Sequence, residues 1–432
     1  MKTVFAYRFR VPGYQAAAQL AFVVLFPGFV IYHYGVAAGW YPAFAGGLFG
    51  AAALVVALFG LTYVIANLVS RSGSMPLLEF AFLLFVAYLF VWTIGAGIAV
   101  KDRIYTIPAV MESFSTIIIW IAVYFVGVRM RMPKHYPGWM LASLVVAVLA
   151  CFVHAIVMND SFFGPFLMFS GAHGDAATGS TYQGIGRSVV VLAVLLASQQ
   201  ARFFGQLAVL AGAIIVLLAL GSRAHFFVTV LLLVVHIVVF GFRGRNLFAS
   251  LAAIGAFFIV GYFAASIFLE ARAAEIFDLT LSTSWQARQE ALREALRVIE
   301  ANPLFGSFGH HLAESIGYAH NIISAWTEYG IVGFLLFIAL MLYALGVSGY
   351  RVLFRRTCPP VWIIAFQFNL AALFLSLTSE PILASVFPAL GWGFTVQALR
   401  GDRQGRTFPR PPLDQRSSIS HVSVRERHNV WD

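Results

Sequence analysis

Charge is what this sequence has least of. Asp, Glu, Lys and Arg make up 11% of its 432 residues, against 60% from the apolar set. A water-soluble domain carries roughly a quarter charged residues, so the shortfall excludes a soluble enzyme, a disordered chain and a coiled coil. Cysteine is nearly missing. Cys151 lies in an apolar run and Cys358 beside a Pro-Pro pair, which excludes a disulfide framework and a CxxC metal site. Acids are scarcer than bases, 18 against 28, but the excess makes no case for nucleic acid, which needs a soluble basic face. No internal repeat is visible. Nor is there an inverted pair of broken helices, which argues against a secondary transporter.

What is present is a succession of apolar runs, each of about the 20 residues that cross a bilayer. The expected fold is all-α and polytopic, with about twelve spans near 16–34, 43–69, 76–99, 107–128, 138–158, 184–200, 203–221, 224–241, 247–268, 321–349, 360–379 and 382–399. Lys2, Arg8 and Arg10 precede the first run, and no small-residue cleavage site follows, so it reads as an uncleaved span. With this count, 20 of the 28 Lys and Arg residues fall on one side, including Arg71, Arg129, Arg131, Arg243, Arg245 and Arg351. That side is cytoplasmic by the positive-inside rule, and both termini are inside. Residues 1–399 form a single membrane domain. The segment 400–432 is polar and rich in Pro and Arg, and is expected to be a disordered cytoplasmic tail.

Ionisable groups at membrane depth are costly and therefore candidates for function. Arg223 lies in the very short outer turn of LALGSRAHFF, and Arg187 in TYQGIGRS at the outer start of the sixth span. The one long outer loop, 269–320, contains an amphipathic helix over 285–300. With Trp285 at 0° and about 100° per residue, Gln289, Leu292, Leu296 and Ile299 fall within about 40° of it. Glu290, Arg293, Glu294, Arg297 and Glu300 form the wet face, with i,i+3 pairs such as Glu294–Arg297. Arg288, near −60°, is the charged residue on the apolar flank.

The loop continues as NPLFGSFGHH, in which Asn-Pro ends the helix and the glycines permit a turn. His310 and His311, with His320 and Glu314, lack any zinc-ligand spacing, and a solvent-facing loop is expected there. His154, His225 and His236, inside apolar spans, read as structural. His320 and Asn321 open the tenth span, where helix N–H groups and dipole favour anions and disfavour a protonated ring. Arginines bind phosphate by a permanently charged fork, and a neutral histidine accepts a hydroxyl proton. The pairing suits a lipid-linked sugar diphosphate.

These residues carry a family resemblance. GSRAHFFVTVLLLVV resembles the opening of a span in the O-antigen ligase and O-antigen polymerase superfamily. The stretch from Arg288 through AsnProLeuPheGly to AHNIISAWTEYGIVGF resembles its large outer loop and the following helix; GSFGHH departs from the family's longer glycine-rich stretch. The match covers about residues 180–350. It implies a metal-independent, inverting glycosyltransferase of the bacterial inner membrane, needing no cofactor and acting at the periplasmic face. By position, Arg223 and Arg288 match diphosphate-binding arginines and His320 a catalytic histidine. Arg187 and Asn321 are assigned to substrate binding. The donor would be an undecaprenyl-diphosphate-linked saccharide. The acceptor would be a saccharide for a polymerase of O-antigen or exopolysaccharide, or lipid A-core for a ligase. A chain-length regulator and membrane lipids are expected partners. A lipid-linked oligosaccharide transporter is the alternative from another class.

Overall fold

The computed structural model describes residues 13–40, 46–70, 75–99, 103–130, 138–159, 181–200, 203–241, 255, 283–313, 319–355, 358–383 and 385–403. Every regular element among them is helical. We number the helices α1 (Gly13–Ala37), α2 (Gly46–Ser70), α3 (Leu77–Ala99), α4 (Arg103–Arg129), α5 (Gly138–Asn159), α6 (Thr181–Gln199) and α7 (Phe203–Ala219). There follow α8 (Arg223–His236), α9 (Thr283–Ala301), the single turn α10 (His310–Ala313), α11 (Ser324–Phe354), α12 (Pro360–Thr378) and α13 (Phe387–Arg403). Pro27 removes a backbone donor inside α1, and the helix passes it through a π-turn at Val24–Gly28.

Each expected span except 247–268 coincides with one of these helices. Apart from Gly255, the ninth span lies outside the described residues. Among the described residues, six helices are long and apolar enough to cross a membrane, so the chain is a multi-pass membrane protein. The total falls short of twelve because elements such as α7 and α13 have 17 residues. At about 1.5 Å per residue they rise less than a bilayer core of about 30 Å. The last helix also runs past 399 to Arg403, and residues 404–432 are outside the described set.

The core is aromatic. Trp120, Trp392, Phe337, Phe85, Phe82 and Tyr124 are fully buried and meet ring to ring where α3, α4, α11 and α13 converge. With no hydrophobic drive between helices inside lipid, association relies on such packing and on small residues. Gly127 of α4 and Gly393 of α13 face one another. A Cβ on Gly127 would come 2.8 Å from the Leu390 carbonyl, and one on Gly393 2.6 Å from that of Tyr124. Alternating helix directions leave two ends. One, here the loop end, collects the starts of α4, α6, α8 and α11 with α9 and the α12–α13 connection. The other, the tail end, holds the start of α3 and the ends of α2, α4 and α13.

Candidate functional site

Backbone leaves the helical path twice at the loop end. Gly330 interrupts α11 with φ 67° and ψ 179°. The carbonyls freed around it are taken by other groups: Thr327 O accepts from Ser307 N at 2.7 Å, Glu328 O from Trp92 Nε1 at 2.9 Å, and Tyr329 O from the Tyr88 hydroxyl at 2.7 Å. The α12–α13 connection sinks between helices. Thr116 Oγ1 donates to Leu383 O at 2.8 Å and Trp120 Nε1 to Ser385 O at 2.7 Å. Irregular backbone at membrane depth persists only where protein satisfies it.

The amphipathic helix forms as expected, as α9, and Arg297 reaches Glu294 at 2.9 Å. Its buried stripe differs from the expected one. Ala291, Ala295, Val298 and Ile299 are buried, whereas Leu296 is 44% exposed. The buried face lies roughly 90° round the helix from the large apolar residues, because α9 packs on α11 and alanines admit closer approach. Arg288 falls inside this stripe and is half-buried.

Arg288 and His320 are brought together. The pKa of His320 is lowered to about 4, first by burial and then by the Arg288 guanidinium. The helix terminus was expected to do this; in the structure burial does it first, and the neighbouring cation second. Asn321, expected to bind substrate, accepts the Ile323 N–H on its side-chain oxygen at 3.0 Å, and its carbonyl takes the Ser324 hydroxyl at 2.7 Å. It shapes the turn into α11.

Arg187 belongs to a neighbouring cluster built on Glu380. Arg187 Nε lies 3.0 Å and His225 Nε2 3.2 Å from the same Glu380 oxygen, and Ser222 Oγ is 2.9 Å from His225 Nδ1. Burial works against the Glu380 charge, but Arg187 and His225 prevail and hold its pKa down to about 2. Arg223, half-buried, is the first residue of α8, two before His225. Gly186 permits the contact, since a Cβ there would come 2.6 Å from Ser222 Oγ. The two clusters are tied by Ile382 N donating to Ser324 Oγ at 2.9 Å. His225 was expected to be a structural core residue; it is buried, but as a member of this charged cluster.

His311 also departs from expectation. It is buried, with Nδ1 2.8 Å from Glu328 Oε1 and Nε2 3.2 Å from Glu112 Oε2, so a solvent-facing loop does not describe it. Both ring nitrogens are committed to carboxylates. Glu314 lies outside the described residues. His154 and His236 pair with Tyr34 and with Gln206, the latter at 2.6 Å. Glu112, Glu328 and Glu380 were not singled out from the sequence. The signal was there, since each is an acid inside or at the edge of an apolar span. Neither any family model nor any curated protein matches the chain.

Proposed function

We propose that the chain is a metal-independent membrane glycosyltransferase that moves a saccharide from undecaprenyl diphosphate to an acceptor hydroxyl. In this reading the chain has twelve spans in the bacterial inner membrane, both termini are cytoplasmic, and the loop end faces the periplasm. The observation that carries it is Arg288 set against His320, a half-buried ring that stays neutral with its pKa lowered to about 4. A cation beside an imidazole whose protonation it disfavours suits an anionic ligand and a proton acceptor acting together.

A sugar carbon bonded to diphosphate already has a good leaving group, so catalysis needs charge stabilisation more than acid assistance. Arg223 and Arg288 would hold the diphosphate and offset the charge that grows as the C–O bond breaks. His320 would take the proton of the acceptor hydroxyl as it attacks from the opposite face, inverting the anomeric centre in one step. A transporter would place charge near the bilayer midplane, whereas the ion pairs among the described residues lie at the two ends of the bundle.

We assign the acceptor to the next lipid-linked repeat unit, making the enzyme a polymerase of O-antigen or exopolysaccharide that works with a chain-length regulator. The glycan ladder of a deletion strain tests this. Core capped by single repeats, or lost secreted polymer, is the expected result. Bare core with accumulated lipid-linked polymer would make it a ligase acting on lipid A-core. An unchanged ladder would remove the glycosyltransferase reading, as would vesicles of purified protein that move the lipid-linked sugar across the bilayer without lengthening it. Reporter fusions at Ala301 should be periplasmic and after Arg245 cytoplasmic; the reverse would contradict the assigned orientation.

A further inference from the structure

The run Gly306-Ser307-Phe308-Gly309-His310-His311 has no part in the chemistry above, yet carboxylates flank it on two sides. Toward α9, His310 Nε2 lies 3.4 Å from Glu294 Oε1, whose other oxygen takes Arg297. Toward the spans, His311 bridges Glu328 of α11 and Glu112 of α4, and the second Glu328 oxygen accepts the Gly309 N–H at 3.0 Å. Beneath these contacts the loop and the break in α11 exchange backbone bonds, Ser307 N to Thr327 O at 2.7 Å and Ile331 N to Leu304 O at 3.1 Å. Gly306 and Gly330, with φ 63° and 67°, make that approach possible. A Cβ on Gly306 would come 2.4 Å from the Thr327 carbonyl, and one on Gly330 2.6 Å from that of Leu304.

Arg288 lies on α9 and His320 leads into α11, so this loop governs the relative placement on which their pairing depends. We propose that His311 is a positioning residue, a clamp between α11 and α4 that holds the loop leaving α9 and so sets Arg288 against His320; His310 comes within 3.4 Å of Glu294 but makes no hydrogen bond to it. The consequence for catalysis rests on the glycosyl-transfer reading; the clamp is a claim about structure with its own readout. Histidine suits the work because an imidazolium donates from opposite edges of one ring, reaching carboxylates on two helices.

The groups facing His311 are Glu112 from α4 and Glu328 from α11, with Glu294 of α9 near His310. Burial opposes the His311 charge, but hydrogen bonds to Glu112 and Glu328 outweigh it and lift its pKa to about 9. A raised folded-state value means that the contribution is complete below the ordinary value of about 6.5 and is lost as pH rises through about 9.

Hydrogen exchange of the full chain in nanodiscs, followed peptide by peptide, tests the clamp. In His311→Gln at pH 7, amides of 302–313 should exchange at least about tenfold faster, and those of α9 should follow. The wild type should show the same local loss at pH 10, after correction for intrinsic exchange, with the Glu380 connection unchanged. Transfer by His311→Gln should fall about 10²-fold in kcat/KM, and the acid limb of its pH profile should move up as Arg288 leaves His320. Unchanged protection in the variant, or loss spread over all helices in both arms, would overturn the clamp. Local loss in both arms with no transfer by the wild type would uphold the clamp and remove the glycosyl-transfer reading.

Discussion

At the tail end of the bundle, cations are closed off by partners on adjacent helices. Arg400 reaches both oxygens of the fully buried Glu79, at 2.5 and 2.6 Å, and the Tyr63 hydroxyl at 2.6 Å. Arg129 lies over the Tyr63 ring at 4.3 Å, Gln397 donates to Met130 O at 2.9 Å, and Arg351 pairs with Asp402 at 2.9 Å. The loop end also has closed pairs, but it adds what the tail end lacks among the described residues: helix breaks docked on side chains, and an arginine set against a neutral histidine. The guanidinium disfavours a proton on the ring beside it, and ionisable groups perturbed in this way concentrate at functional sites. Under the proposed function, the difference separates groups that hold the bundle together from groups placed for chemistry.

Substitutions should divide along the same line. The largest effect is expected at the loop end, where His320→Ala should lower glycan transfer by about 10²–10⁴-fold at normal membrane insertion and unchanged melting temperature. A near-normal rate would end its role as the base. Arg288→Ala and Arg223→Lys should follow, each losing about 10²–10³-fold, since an ammonium does not reproduce the guanidinium fork; chelator should change neither the wild type nor the variants. At the tail end the order reverses. Glu79→Gln leaves the mostly buried Arg400 without its carboxylate and should cost about 3–5 kcal/mol of stability, read as a lower melting temperature in detergent, while transfer at low temperature stays intact. The smallest effect belongs to Arg297→Ala on the wet face of α9. Its side chain is 73% exposed, and such a pair contributes roughly 0.3–0.5 kcal/mol. A large loss of transfer there would show that the exposed face of α9 also works.

The apolar runs made the helices legible, because a bilayer demands about 20 apolar residues whatever the neighbours are. They could not show which side of α9 would be buried. Amphipathicity weights large side chains, while the packing on α11 uses Ala291 and Ala295, and so Arg288 lies deeper than its apolar flank implied. The candidate site was legible as far as single residues went: Arg288 and His320 stood out, and the structure brings them together. It was illegible where two distant segments had to meet: nothing local tells that Glu380 will face Arg187 or that His311 will lie between Glu112 and Glu328. His225 shows the same limit, since an imidazole in an apolar run looks structural until a carboxylate from another helix reaches it.

The pairing of Arg288 with His320 is best tested through the pH dependence of kcat/KM for transfer, with purified protein in nanodiscs. A general base works only when unprotonated, and the His320 pKa is lowered to about 4. The wild-type rate should therefore hold from neutral pH down to about 5 and fall only as pH drops through about 4. In Arg288→Gln the residual activity should show that acid limb at higher pH, because the like charge that disfavours the proton is gone. A limb near the ordinary histidine value of about 6.5 in the wild type, or one that Arg288→Gln leaves in place, would contradict the account.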